Sequence, residues 1–315
     1  MSVSSVSKVL NGRPGVSEET RRRVEELLFQ KGYSPRGAGS FSKVIEIIFY
    51  ELDSEWLLEM IQGVEAVATK NGFRIMLTPS HDLLRPGQGW IEEVISRRPA
   101  GVILIFPSLE EHQIVQLNNR SIPFVVVDPA AEPPPGLAYV GAQNWAGGLA
   151  ATEHLISLGH SDIAIITGPE EQNCSRARLA GFHSAMQAAG LKVRPEYIRP
   201  GRFHHNDGFE QGRILFGLAK PPTAIFACAD LQALGVYRAA DEAGLRIPDD
   251  VSVVGFDDLH MAQWVGPPLT TVHQPIREMA ELATYMVIDP EPARRPRLDL
   301  ATHLVVRKST APLAK

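Results

Sequence analysis

The sequence predicts an α/β protein with two doubly wound parallel sheets behind a small helical segment. Three observations predict it. From Val44 onward, short apolar runs alternate with amphipathic stretches of helical length, the pattern of parallel strands joined by crossover helices. The alternation resumes after Ile163, which asks for a second sheet. At 315 residues the chain is long for one compact unit and suits two medium domains with a small extra piece.

Taken in order, Ser4 to Leu10 places Val6, Val9 and Leu10 on one helical face, and Asn11-Gly12 ends it. Residues 17–31 form a second helix, with Ser17 as N-cap, Val24, Leu27 and Leu28 at helical spacing and Gly32 as the stop. The first set of strands is VIEIIF at 44–49, FRIML at 73–77, GVILIF at 101–106 and FVVV at 124–127. The second is IAIIT at 163–167, TAIFAC at 223–228 and VSVVGF at 251–256. Between the two sets, AAEPPPG at 130–136 is a surface loop rather than a linker, because the rhythm continues on both sides of it.

Hydrophobic residues make up 44% and charged residues 21%, enough for a core without disulfides or metal. Cys174 and Cys228 match no zinc spacing and read as free thiols of a reducing compartment. No signal peptide or membrane span is legible, so a cytoplasmic protein is expected. The net charge of −5 hides an asymmetry: residues 1–40 carry seven Lys/Arg against four Glu, net +3, leaving −8 for the rest. A basic head on an acidic body suggests an anion-binding module, with a solvated helix face as the competing reading. No P-loop, glycine-rich dinucleotide turn, nucleophile elbow or metal cluster is present, which argues against an enzyme. His204-His205 lacks a third ligand at useful spacing and reads as loop histidines.

Paired doubly wound sheets place ligands at the carboxyl ends of their strands. Asp128, Asp230 and Asp257 each follow an apolar run and are candidates there, with capping of the next helix as the alternative for each. SSVSKVLNG from Ser4, RPGVSEETRRRV and KGYSP to Pro35 resemble the second and third helices of the DNA-binding domain of the LacI/GalR transcriptional regulators. ATEHLISLGHSDIAIITGP from Ala151, RARLAGF from Arg176, ADLQALGVYRA from Ala229, IPDDVSVVGFDD from Ile247 and PPLTTVHQP from Pro267 continue the likeness through the core.

The resemblance implies a partial helix-turn-helix at 1–35, a hinge at 36–43 and a periplasmic-binding-protein-like core (type I) at 44–315. It divides the core into a first lobe of about 44–142 and 275–298 and a second of about 144–271 and 300–308. It also implies a homodimer on a pseudo-palindromic operator, switched by a small sugar in the interlobe cleft. A solute-binding protein without a DNA role shares that core and is the alternative. DNA contacts fall by resemblance on Val3, Ser4, Lys8 and Asn11, with Lys8 offering a point charge where the family commonly has the planar fork of Arg. The family's first helix has no counterpart before Val3, and Met1 stands where a valine is usual, as a GTG codon read as a start would give. In the hinge, Gly37 and Gly39 each disfavour helix by about 1 kcal/mol relative to Ala, and Phe41 is the candidate minor-groove wedge, with packing on the core beside a flexible hinge as the alternative.

For the effector, the resemblance points to Arg178, Asp128, Asp230 and Asp257 as polar contacts, with Ala229 where Asn is frequent. A sugar ring also needs a flat apolar surface. Trp56 and Phe203 are the candidates, with core or subunit packing as the alternative for each. Gln274 is a further candidate beside a crossover, and Trp145 is expected to pack beneath one. No cofactor or metal is expected.

Overall fold

The computed structural model describes residues 3–10, 15–17, 19–20, 22–24, 27, 42–52, 54–80, 89–105, 109–289 and 297–313. Asn11 and Phe41 lie outside the described residues, as do the hinge positions 36–41. The first helix, α1, is Val3–Leu10, where Lys8 is exposed. The side chains of Val3 and Ser4 fall outside the described set. Further on, the Thr20 N–H donates to the Ser17 hydroxyl at 3.3 Å, the cap bond expected of that serine. Val9 and Val24 are buried.

The strands are β1 Val44–Phe49, β2 Arg74–Pro79, β3 Gly101–Ile105, β4 Phe124–Val127 and β5 Tyr139–Ala142, then β6 Ile163–Ile166, β7 Ile198–Arg199, β8 Ala224–Ala227, β9 Ser252–Asp257 and β10 Thr270–His273, and finally β11 Arg297–Leu300 and β12 His303–Val305. The described residues form two six-stranded sheets, ordered β11-β5-β4-β3-β1-β2 and β12-β10-β9-β8-β6-β7. Apart from β12, which runs antiparallel to β10, every pairing is parallel. Central strands such as β3, β6 and β8 are buried along their whole length, because helices cover both faces.

The helices that follow are α2 Glu55–Lys70, α3 Trp90–Arg97, α4 Glu111–Asn119, α5 Asn144–Ser157, α6 Asn173–Ala188, α7 His205–Phe216, α8 Asp230–Glu242, α9 Met261–Trp264 and α10 Ile276–Ile288. Strand alternation sorts the side chains between two layers in each lobe. In the first lobe, Ile45, Ile47 and Ile103 pack under Met60 and Val64 of α2 and Met279 and Ala283 of α10. Ile48, Val102 and Leu104 face Trp90 and Val94 of α3 and Leu117 of α4. In the second lobe, Ile165 and Phe226 pack on Leu155 of α5 and Phe182 of α6, while Ile225 and Val253 face Leu215 of α7 and Val236 of α8.

The chain passes between the sheets three times: at Gln143 after β5, at Gln274–Pro275 after β10, and at 301–302 between β11 and β12. All three passages lie on one edge of the molecule. The sequence pattern calls for parallel strands throughout, and β12 departs from it for a geometrical reason. The carboxyl ends of both sheets face the same gap, so a chain leaving β11 and crossing directly must enter the second sheet from its carboxyl end, antiparallel to β10.

Helices α5 and α6 meet backbone to backbone. A Cβ at Gly148 would lie within contact distance of the Arg178 backbone, and one at Gly181 would strike the Trp145 carbonyl. Gly148→Ala is therefore expected to cost about 1–3 kcal/mol in a denaturant melt. Unchanged stability would show that the helix pair slides apart freely.

Candidate functional site

The gap between the two sets of strand ends holds a cavity, and each wall is built from residues that immediately follow a strand or begin a helix. Tyr50 and Glu51 follow β1, Ile105 ends β3 and Asp128 follows β4. Across from them, Arg178 projects from the second turn of α6, Phe203 precedes α7, and Asp257 ends β9. Three of these positions carry backbone conformations that favour glycine: Asp128 at φ +45°, Phe203 at +69° and Asp257 at +114°. Such positions are held only where the surroundings over-determine them, and here all three border one cavity.

Arg178 is the centre of the polar network. Its Nε donates to the Asn144 side-chain carbonyl at 2.8 Å and Nη1 to the Cys228 backbone carbonyl at 2.5 Å, with Asp257 3.7 Å from Nη1. The guanidinium lies 3.6 Å from the centre of the Phe256 ring and 5.4 Å from that of Phe203. Phe203 in turn rests where a Cβ at Gly168 would collide with its ring.

Gln274 joins the lobes behind the cavity. Its amide nitrogen donates to Asp128 Oδ2 at 2.9 Å, while its carbonyl accepts from the Trp56 indole at 3.1 Å and more weakly from Arg178 at 3.5 Å. Trp56 and Asp128 belong to the first lobe and Arg178 to the second, so one buried amide at the crossover fixes three wall residues.

Burial sets the charge state. It pushes the Asp128 carboxyl up to about 6 against the pull of the Arg178 charge and the Gln274 amide. It pushes Asp257 up to about 7, again opposed by Arg178. Both free thiols, Cys174 in the cavity wall and Cys228 beneath it, are pushed by burial up to about 12 and stay protonated. Among the described residues no group of three or more His, Cys, Asp or Glu side chains is placed to hold a metal ion. None of the described helices is long and apolar enough to cross a membrane.

The structure thus brings Trp56, Asp128, Arg178, Phe203 and Asp257 to one cavity, and corrects four expectations. Asp230 is fully buried away from the wall, and it does not cap α8, which it begins. Its carboxylate accepts from the Leu259 N–H at 2.8 Å and the Thr271 hydroxyl at 2.5 Å, bracing the turn that carries Leu259 into the wall. Gln274 acts through Trp56, Asp128 and Arg178 rather than lining the cavity. Trp145, expected beneath the crossover, is 47% exposed, because the backbone contact of α5 with α6 leaves no room on that side for an indole. His204 also leaves the loop reading, since it caps α7 and lines the cavity. Glu51, Arg202 and Leu259 were not legible as wall residues; proximity to a strand end was their only signal.

Comparison with known proteins places these features in context. Residues 1–36 match the profile of the bacterial regulatory proteins of the lacI family, and residues 152–310 match that of the periplasmic binding protein-like domain. The HTH-type transcriptional repressor PurR of Pasteurella multocida (strain Pm70) is 30% identical over 318 residues, covering 98% of this chain and 95% of the relative. A solved complex of the transcriptional regulator CelR with cellobiose superposes with a TM-score of 0.77 at 28% identity, over 96% of this chain and 94% of that one. The lac repressor dimer bound to operator and the anti-inducer ONPF gives 0.75 at 26% identity, over 99% and 96%.

Proposed function

The chain belongs to the LacI family of bacterial transcriptional regulators, and on that premise we propose that it represses carbohydrate genes under the control of a sugar held in the interlobe cavity. The observation that carries the effector reading is the convergence of Asp128, Asp257 and Arg178 on one cavity also lined by Trp56 and Phe203, with Asp257 3.7 Å from the Arg178 guanidinium. Hydroxyl groups donate to carboxylates, a guanidinium donates in a planar fork, and ring C–H faces pack on aromatics. The complex of CelR with cellobiose, at similar fold and length, supports the same ligand class.

Operator recognition rests on α1, which carries Val3, Ser4 and Lys8, within the segment matched by the lacI profile. A homodimer, as in the lac repressor bound to its operator, would present two such helices to half-sites one helical turn apart. A sugar that binds one lobe arrangement better than the other shifts their populations and thereby the operator affinity. Phosphate contacts should make that affinity fall steeply with salt.

The test is a thermal-shift panel of pentoses, hexoses and disaccharides, cellobiose and ribose among them. Occupancy at 100 times the dissociation constant is expected to add about 2.7 kcal/mol to stability. A panel in which no sugar raises the melting temperature removes this reading.

A further inference from the structure

The bonds that join the lobes are unevenly distributed. Gln274 bridges Asp128 and Trp56 at the crossover, the Arg176 guanidinium donates to the Ala130 carbonyl at 3.2 Å, and His260 meets Glu59 of α2 at 2.9 Å. The turn after β1 and the turn before α7 also face each other: Glu51 and Arg202 both line the cavity, and Tyr50 and Arg202 both line a second groove beside it. Yet Glu51 and Arg202 are exposed, and neither side chain makes a hydrogen bond or an ion pair among the described residues. Among the described residues, two opposite charges thus stand without a partner on facing rims of one gap.

Topology says why that rim matters. All chain passages between lobes leave from β5, β10 and β11, at or next to one edge of each sheet, while β1 and β2 in the first sheet and β6 and β7 in the second lie toward the other edge. A rotation about the passages moves the ends of β1 and β2 and of β6 and β7 further than the strand ends beside the passages. Closure therefore brings Glu51 and Arg202 together more than any pair near Gln143 or Gln274.

We propose that Glu51 and Arg202 form an interlobe ion pair when the cleft closes, a latch that favours the effector-bound arrangement without touching the effector. The inference rests on the reading of the cavity as an effector site. The ion pair is made only in the closed state, so it acts on the population of that state, and a partly exposed pair shifts such an equilibrium modestly. Glu51 and Arg202 are positioning residues in this scheme. Arg202 reading an anionic group on the ligand is the competing outcome, and a charge exchange separates the two.

Two experiments on the full-length protein test it. In the first, E51C/R202C is treated with a short bismaleimide; Cys174 and Cys228 are buried and protonated and stay silent. Intramolecular crosslinking is expected, faster with cellobiose or ribose present, and its absence overturns the latch. In the second, E51R and R202E are each expected to weaken binding of the responsive sugar by roughly threefold to tenfold while leaving the ligand-free melting temperature unchanged. The double variant E51R/R202E is expected to restore binding to within about twofold. Failure of the double variant to restore binding overturns the latch and assigns Arg202 to the ligand. An unmodified protein that binds neither sugar removes the sugar reading alone and leaves the crosslinking result to decide the latch.

Discussion

Replacing Arg178 with alanine is expected to lower the stability of the ligand-free protein by about 3–5 kcal/mol, the cost of stripping one partner from a buried charged network. The loss has several sources on the same side chain. Asn144 loses its donor, the Cys228 carbonyl is left unpaired and the Phe256 ring loses the cation stacked on it. An orphaned buried acceptor alone costs about 1–3 kcal/mol. Asp257 limits the damage, because its carboxyl is already raised to about 7 and escapes the loss of a cation by taking up a proton. Arg178→Lys retains the charge but cannot serve both Asn144 and Cys228 from one ammonium, so it should recover part of the stability and little of the effector affinity. Urea melts of the two variants beside a sugar titration check this. If Arg178→Ala melts within about 1 kcal/mol of the parent, the network has no structural weight and Arg178 serves the ligand only.

How much of this was legible in the sequence depended on whether a residue's role is local. Strands buried on both faces announce themselves, since VIEIIF, GVILI and IAII need no partner to be recognised as core. Two edge strands do not: β7 is two residues long, and β11, Arg-Leu-Asp-Leu, is half exposed on the rim of its sheet, whereas the edge strand β2 was legible as FRIML. Asp128 and Asp257 could be found because a polar residue at the carboxyl end of an apolar run is conspicuous. Asp230 occupies a similar place in sequence and does a different job, and only the return of Leu259 and Thr271 from far along the chain decides between the two. Gln274 shows the same limit: its partners lie 218, 146 and 96 residues away. Glu51 and Arg202 are the extreme case, being single charges in turns whose relation exists only across the gap.

The pH dependence of this protein should run in opposite directions for folding and for effector binding. In the folded chain Asp128 titrates at about 6 and Asp257 at about 7, against an ordinary 3.8 for an aspartate. Between pH 4 and 7 the folded state therefore holds protons that the unfolded chain has released. The contribution of these two groups is fully present below pH 4 and is lost as the pH rises through 6 and 7. Each tenfold gain in proton affinity on folding corresponds to about 1.4 kcal/mol. The loss is therefore on the order of several kcal/mol, the larger share from Asp257. His154 and His160 act the other way, since burial lowers both below 6.5 and their contribution fades as the pH falls. The comparison with Asp257→Asn, an isostere of the protonated acid, reads this acid together with Asp230, whose carboxyl its charge raises: relative to this variant, the parent should lose stability from pH 5 to about pH 7 and level off above it. A sugar hydroxyl, by contrast, donates to the charged carboxylate and favours its ionised form. Effector affinity should therefore rise over the same interval, and calorimetry in buffers of different ionisation enthalpy should show protons released on binding. Uptake of protons, or an affinity that falls from pH 5 to pH 8, would mean that the effector meets Asp128 and Asp257 as acids and accepts a hydrogen bond from them.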